Sequence, residues 1–171
     1  ALGRMAVEAG AALSAVQIGQ MADQYNNIIA KLKLATSTQA EFNRAMSETF
    51  AIAQRTYTSW ENTAVLYQRT SIALKEYGAS QSEVLRLTET INKALQVSGA
   101  TTIQASAAIL QLSQAFASNV LRGDEFNSVA ENGIRIMQAL ARSLNVGMGE
   151  LRAMAEAGEL TGEVLRRALA D

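Results

Sequence analysis

The chain has no cysteine, no histidine and no proline, and only 5% of its residues are aromatic. Without cysteine there is no disulfide framework and no thiolate to serve as nucleophile or metal ligand. Without histidine the Ser-His-Asp and Cys-His arrangements and the usual zinc sites are excluded, together with the side chain best suited to proton transfer near neutral pH. An average chain of this length would carry roughly eight prolines, so having none favours long uninterrupted helices. Charge gives no lead toward nucleic acid. The 15 basic and 16 acidic residues leave a net charge of −1, and Lys and Arg are scattered singly.

What is present is apolar and helix-forming. A hydrophobic fraction of 49% in 171 residues is enough to bury a core. From Leu2 to about Ala35 no strong breaker occurs apart from isolated glycines, and apolar residues recur at Leu2, Met5, Ala9, Leu13, Val16, Met21, Ile28 and Leu32. This predicts one long helix or two nearly collinear ones, reaching roughly 50 Å. The Ala-rich part, Met5–Gly19, is interrupted by Glu8 and Gln17 and followed by Gln20 and Asp23. A bilayer span needs about 20 mostly apolar residues, so no transmembrane helix is expected. With no basic region and no cleavage site, no signal peptide is expected either. The chain begins at Ala1 without an initiator Met and is expected to be a piece of something longer.

Three capping boxes mark later helix starts: Thr38 with Glu41, Thr58 with Glu61, and Ser80 with Glu83. Each precedes an apolar stripe stepping by three or four, through Phe42, Met46 and Phe50, through Trp60, Ala64, Tyr67 and Leu74, and through Val84, Leu87, Ile91 and Leu95. Gly78-Ala79-Ser80 and Gly99-Ala100-Thr101 each place a helix-ending glycine two residues before the next cap, which predicts tight hairpins. The helix after Thr101 carries Ile103, Ala107, Leu110, Ile109, Leu112 and Phe116, a wide apolar surface, and is expected to be the central one.

The last third is cut by glycines into short helices. Ile134–Leu144 carries a stripe through Met137, Leu140 and Leu144, and Thr161 is placed to cap a last helix with Val164, Leu165 and Ala168. The expected fold is therefore all-α: a long N-terminal helix over 1–36, antiparallel helical hairpins over 37–118, and a compact cluster of short helices over 119–171.

The most polar passage, LRGDEFNSVAENGIRIMQAL from Leu121 to Leu140, holds the candidates for chemistry: Asp124, Glu125, Asn127 and Glu131. Paired carboxylates act as acid and base only where their environments drive their pKa values apart, and nothing adjacent supplies a proton carrier or a metal-binding spacing. Asp124 and Glu125 instead follow Gly123 where a helix begins, and negative charge there favours the positive end of the dipole. Asn132-Gly133 reads as a helix stop, since both residues tolerate the left-handed conformation.

Gly147 and Gly149 form a lone G-x-G without the Lys-Ser/Thr of a phosphate loop. Arg135 to Arg167 has the outline of a helix-turn-helix, but Arg122 to Asp171 holds six basic and eight acidic residues, a net charge of −2, the wrong sign for phosphate. Tyr57, Trp60 and Tyr67 read as core or interface anchors, and the scattered methionines as gap fillers.

The run LRGDEFNSVAEN, continuing through RIMQALARSLNVGMGELRAMAEAGELTGEVL, resembles the tape measure domain found toward the N-terminus of tail tape measure proteins of long-tailed phages and prophages. FAIAQRTYTSWENTAVLYQRTSIALKEYG and LTETINKALQVSGATTIQASAAILQLSQAFAS carry the same likeness, which extends from about Met21 onward. Residues Leu121, Arg122, Gly123, Glu125, Phe126, Asn127 and Ser128 match its signature. The pattern usually has a proline where Ile134 stands, and often a Thr or Ser near Gly147, so a rigid break and a hydroxyl cap are put in doubt at those two places.

The resemblance implies a structural, non-enzymatic role without cofactor, small-molecule substrate or nucleic-acid specificity. Such proteins set tail length during assembly, occupy the tail tube lumen and leave it ahead of the DNA. Tail tube and tail-tip proteins and tail assembly chaperones are the implied partners, in the virion tail and, during assembly, the host cytoplasm. Self-association is expected through a face on the first helix comprising Leu2, Met5, Leu13, Val16, Ile28 and Leu32. Two competing readings are a generic helical interaction or coiled-coil adaptor module, and a small hydrolase using Asp124 and Glu131.

Overall fold

A computed structural model describes residues 2–170 of the chain, with side chains described from 18 to 169. Among these residues the chain is all-α, with nine helices: α1 (Leu2–Ala35), α2 (Gln39–Thr56), α3 (Trp60–Lys75), α4 (Gln81–Val97), α5 (Thr102–Ser118), α6 (Gly123–Asn132), α7 (Ile134–Leu144), α8 (Met148–Ala157) and α9 (Gly162–Ala170). The first is a single 34-residue helix.

Local chemistry accounts for most of the helix ends. Ser80 and Thr101 each accept a hydrogen bond from the backbone N–H three residues on, while Glu83 and Gln104 reach back to the cap N–H, closing two capping boxes. Thr38 caps α2, but Glu41 accepts from the Ser37 N–H, at 2.7 Å, rather than from the cap itself. At the other ends the absent proline is replaced by a left-handed residue. Tyr57, Gly78, Gly99, Asn119, Asn145 and Gly158 all have positive φ. After each, the following N–H donates to the carbonyl five residues back, as from Ala79 to Leu74 and from Val120 to Ala115.

Two expectations about this region need correction. Ser59, not Thr58, caps α3, accepting from the Asn62 N–H. The left-handed turn at Tyr57 points Thr58 inward, where its hydroxyl meets Thr56 and Thr63 at 2.9 and 3.2 Å. Nor is α5 the central helix: Ile103 and Leu110, one face of it, are 83% and 42% exposed. That position belongs to α3, which touches α1, α2, α4, α5 and α9.

The buried side chains form two clusters that share a wall. In the smaller, Ile28 and Leu32 of α1 meet Ala45 and Ile52 of α2, Ala64 and Tyr67 of α3, and Val84 and Leu85 of α4. In the larger, Leu66 and Leu74 of α3 and Leu87, Ile91 and Leu95 of α4 meet α5 through α9. This larger core continues across Ser118: Phe116 lies in it together with Leu121, Phe126, Leu140 and Leu165. Each fully buried Leu, Ile or Phe contributes about 1.5–3 kcal/mol by leaving water.

Gly133 alone separates α6 from α7, and its backbone is not left-handed, with φ at −149°. The glycine is required for space instead. A Cβ there would lie 2.9 Å from Leu95 Cδ2 and 3.1 Å from Ile136 Cδ1. Ile134 begins the next helix directly, so a sharp break forms without a proline.

Candidate functional site

The sequence signature occupies a corner at which two helix connections are laced together. Val120 and Thr161 form an isolated antiparallel bridge. Leu121 N–H donates to the Leu160 carbonyl at 2.8 Å, and Gly162 N–H donates to both the backbone and side-chain oxygens of Asn119, at 3.2 and 3.1 Å. The α5–α6 connection is thereby tied to the α8–α9 connection about 40 residues later. Leu121 and Phe126 are buried, and the Arg152 guanidinium sits 5.6 Å from the Phe126 ring centroid, a cation–π contact. Arg122 is the exposed N-cap residue, without a side-chain capping bond, and Gly123 opens α6. Asn127 and Ser128 are half-buried on the same helix, where the Ser128 carbonyl accepts from Asn132 Nδ2 at 2.8 Å.

The carboxylates of this passage do not converge. Asp124 and Glu125 lie in the first turn of α6, where their charge complements the helix dipole. Asp124 and Glu131 are both exposed and seven residues apart on the helix, roughly 10 Å along its axis. No group of three or more acidic side chains placed to hold a metal ion occurs among the described residues. The strongest carboxylate interactions lie elsewhere. Arg166 joins Glu163 of its own helix, at 2.7 Å, to Glu83 at the start of α4, at 3.3 Å. Hydrogen bonds from Arg166, with Arg167 adding to them, hold the Glu163 carboxyl down at about 2.

The face expected on α1 divides along the helix. Leu2, Met5, Leu13 and Val16 lie outside the described side chains. Ile28 and Leu32 are 4% and 0% exposed, used up within the chain's own smaller core because this end of α1 lies against α2 and α3. They cannot form an outward face. The large apolar side chains of α1 that do face outward are Ile18, Met21, Tyr25 and, near its end, Leu34. Tyr25 continues into Trp60 and Phe50, with ring centroids 5.9 and 5.1 Å apart, and Trp60 Nε1–H donates to Thr49 at 3.0 Å. The spacing of Ile18, Met21 and Tyr25 by three and four residues is a signal the sequence carries; the meeting of Tyr25 with Trp60, and of Trp60 with Phe50, is not. Of the other aromatics, Tyr67 is buried and Tyr57 is exposed at the left-handed turn.

A protein-family model described as tape measure protein matches residues 16–171. The chain belongs to the tape measure protein family. No curated protein and no solved structure matches it. The match begins inside α1 and takes in the exposed Ile18–Tyr25 stripe, both core clusters and the laced corner. Tape measure proteins are components of phage tails, structural rather than catalytic, and associate with other tail components. Within this member residues 121–128 form a structural joint: buried anchors at Leu121 and Phe126, and a helix start at Gly123. Among the described residues no helix is long and apolar enough to cross a membrane.

Proposed function

We propose that this chain is the folded, helical part of a ruler that sets phage tail length and occupies the tail tube lumen during assembly. The family match over residues 16–171 carries the reading. The physics of the chain is in keeping with it. Length is measured by many residues at a fixed rise, which helices supply. A protein that must later leave a tube is served by near-neutral charge and by freedom from disulfides, and this chain has a net charge of −1 and no cysteine.

Tail tube and tail-tip proteins and tail assembly chaperones are the partners this role requires. The exposed Ile18, Met21 and Tyr25, with Phe50 and Trp60 beside them, form the surface we assign to self-association or to contact with one of these partners. The host cytoplasm during assembly, and then the virion tail, are the corresponding locations. In a phage carrying this chain, in-frame duplication of helical residues in the gene lengthens the tail by about 1.5 Å per residue added. Tails of unchanged length, measured by electron microscopy, would overturn the ruler. Digestion of the chain by protease in intact, unopened tails would overturn its place in the lumen.

A further inference from the structure

The chain's acidic residues are unevenly placed: none occurs between Glu89 and Asp124, and none between Glu131 and Glu150. The fold brings these two stretches together, since the second half of α4 packs against α7. Their joint is fixed by the Arg135 backbone N–H, which donates to Ser98 Oγ just beyond α4 at 3.2 Å. Along this seam runs an open groove of about 310 Å³ lined by Ala94, Val97 and Ala139 together with Lys93, Arg135 and Arg142. Gln138 and Arg142 also border a second hollow, which extends the groove to the α7–α8 turn.

No acidic side chain lines either hollow. Among the described residues Arg135 and Arg142 form no ion pair, Arg135 making only a side-chain hydrogen bond to Gln138. Lys93 meets Glu89 at 2.8 Å, but that carboxylate is shared with Arg55. The α7 N-terminus adds to the positive field, having no acidic residue in its first turn. Apolar area is offered as well, since Val97 is 66% exposed.

We propose that the α4–α7 groove is a docking surface for an acidic helix of a protein partner, one with an apolar stripe flanked by Glu or Asp. A furrow between two helices with Ala94 and Ala139 among its lining has the shape that takes a third helix by its apolar face, and the unpaired Arg135 and Arg142 on the α7 bank select acidic flanks. A nucleic acid would use the cations but leave Val97 in water, and would meet a chain that is negative overall.

The test is binding of the chain to a fluorescent designed peptide with a Leu/Ala stripe flanked by Glu. Its Lys-for-Glu counterpart and a short DNA duplex serve as comparisons. The Glu peptide is expected to bind at least tenfold tighter than the Lys peptide and to weaken as salt rises. The Arg135→Gln/Arg142→Gln double variant weakens it about tenfold. Val97→Glu, which leaves both arginines in place, weakens it similarly, and Arg69→Gln on another surface leaves it unchanged. Circular dichroism identical to the parent's shows each variant folded. Equal binding of the two peptides, insensitivity to both groove variants, or displacement of the Glu peptide by DNA at comparable concentration would overturn the proposal. None of these results bears on the ruler, which rests on the family match.

Discussion

Gly133 and Leu95 are in contact at the place where α6 turns into α7, so closely that a single added methyl group would stand 2.9 Å from Leu95 Cδ2. Leu95 and Ile136 are both fully buried, so an added methyl group must push buried side chains aside. Gly133→Ala is therefore expected to destabilise the fold by about 1–3 kcal/mol, an overpacking cost. Urea unfolding measures it, and a midpoint equal to the parent's would show that the corner has slack.

A second prediction concerns the buried amide of Asn92, which donates to Thr58 and Thr63 at 3.0 and 2.9 Å. Asn92→Ala removes both bonds and leaves a void, a loss of about 2–3 kcal/mol. Asn92→Asp is expected to cost more at pH 7, because a charge replaces the donor at a fully buried position, and to recover part of the loss at low pH, where the carboxyl is neutral. Unfolding of the two variants at neutral and acid pH distinguishes these effects, and an Asp variant as stable as the parent at pH 7 contradicts the burial.

Glu163 ties stability to pH. Its carboxyl is held at about 2 against its usual 4.5, first by the Arg166 hydrogen bonds. A folded-state value below the unfolded one means that its contribution is complete above about 4.5 and is lost as pH falls toward about 2. Thermal unfolding followed from pH 6 to pH 2 should show a smaller acid-induced drop for Glu163→Gln than for the parent. Parallel curves would mean that the clasp between α9 and α4 is too well solvated to matter.

Asp124 is expected to act only on its helix. Asp124→Asn should cost about 0.3–1 kcal/mol, less in high salt, whereas Glu131→Gln should cost nothing or stabilise slightly, because Glu131 lies at the negative end of the α6 dipole. A loss beyond 2 kcal/mol in either variant would require a partner for the carboxylate that the fold does not supply.

Much of this architecture was legible because it is written locally. Ser80 with Glu83, and Thr101 with Gln104, need only three residues of context to define a helix start, and Gly78 and Gly99 only one to end a helix. What was not legible depends on distant residues. Thr58 has the same local signature as Ser80, yet its hydroxyl is claimed by Asn92, 34 residues away, and the cap passes to Ser59. Ile28 and Leu32 look like any other part of the α1 stripe until α2 and α3 cover them. Asn132-Gly133 has the local look of a left-handed stop, and the close approach of Gly133 to Leu95 leaves no mark in the neighbouring sequence. In the signature, the buried pair Leu121 and Phe126 follows from hydrophobicity, but the lacing to Leu160 and Gly162 comes from the other end of the short-helix region.

Because α3 and α4 contribute buried side chains to both clusters, neither cluster can dissolve without loosening the helices that line the other. Folding of residues 18–169 is accordingly all-or-none, one transition seen alike by Trp60 fluorescence and by helical signal. A fragment cut at Ser118 would leave Leu87, Ile91 and Leu95 with half their neighbours missing and would aggregate rather than stand as a smaller domain.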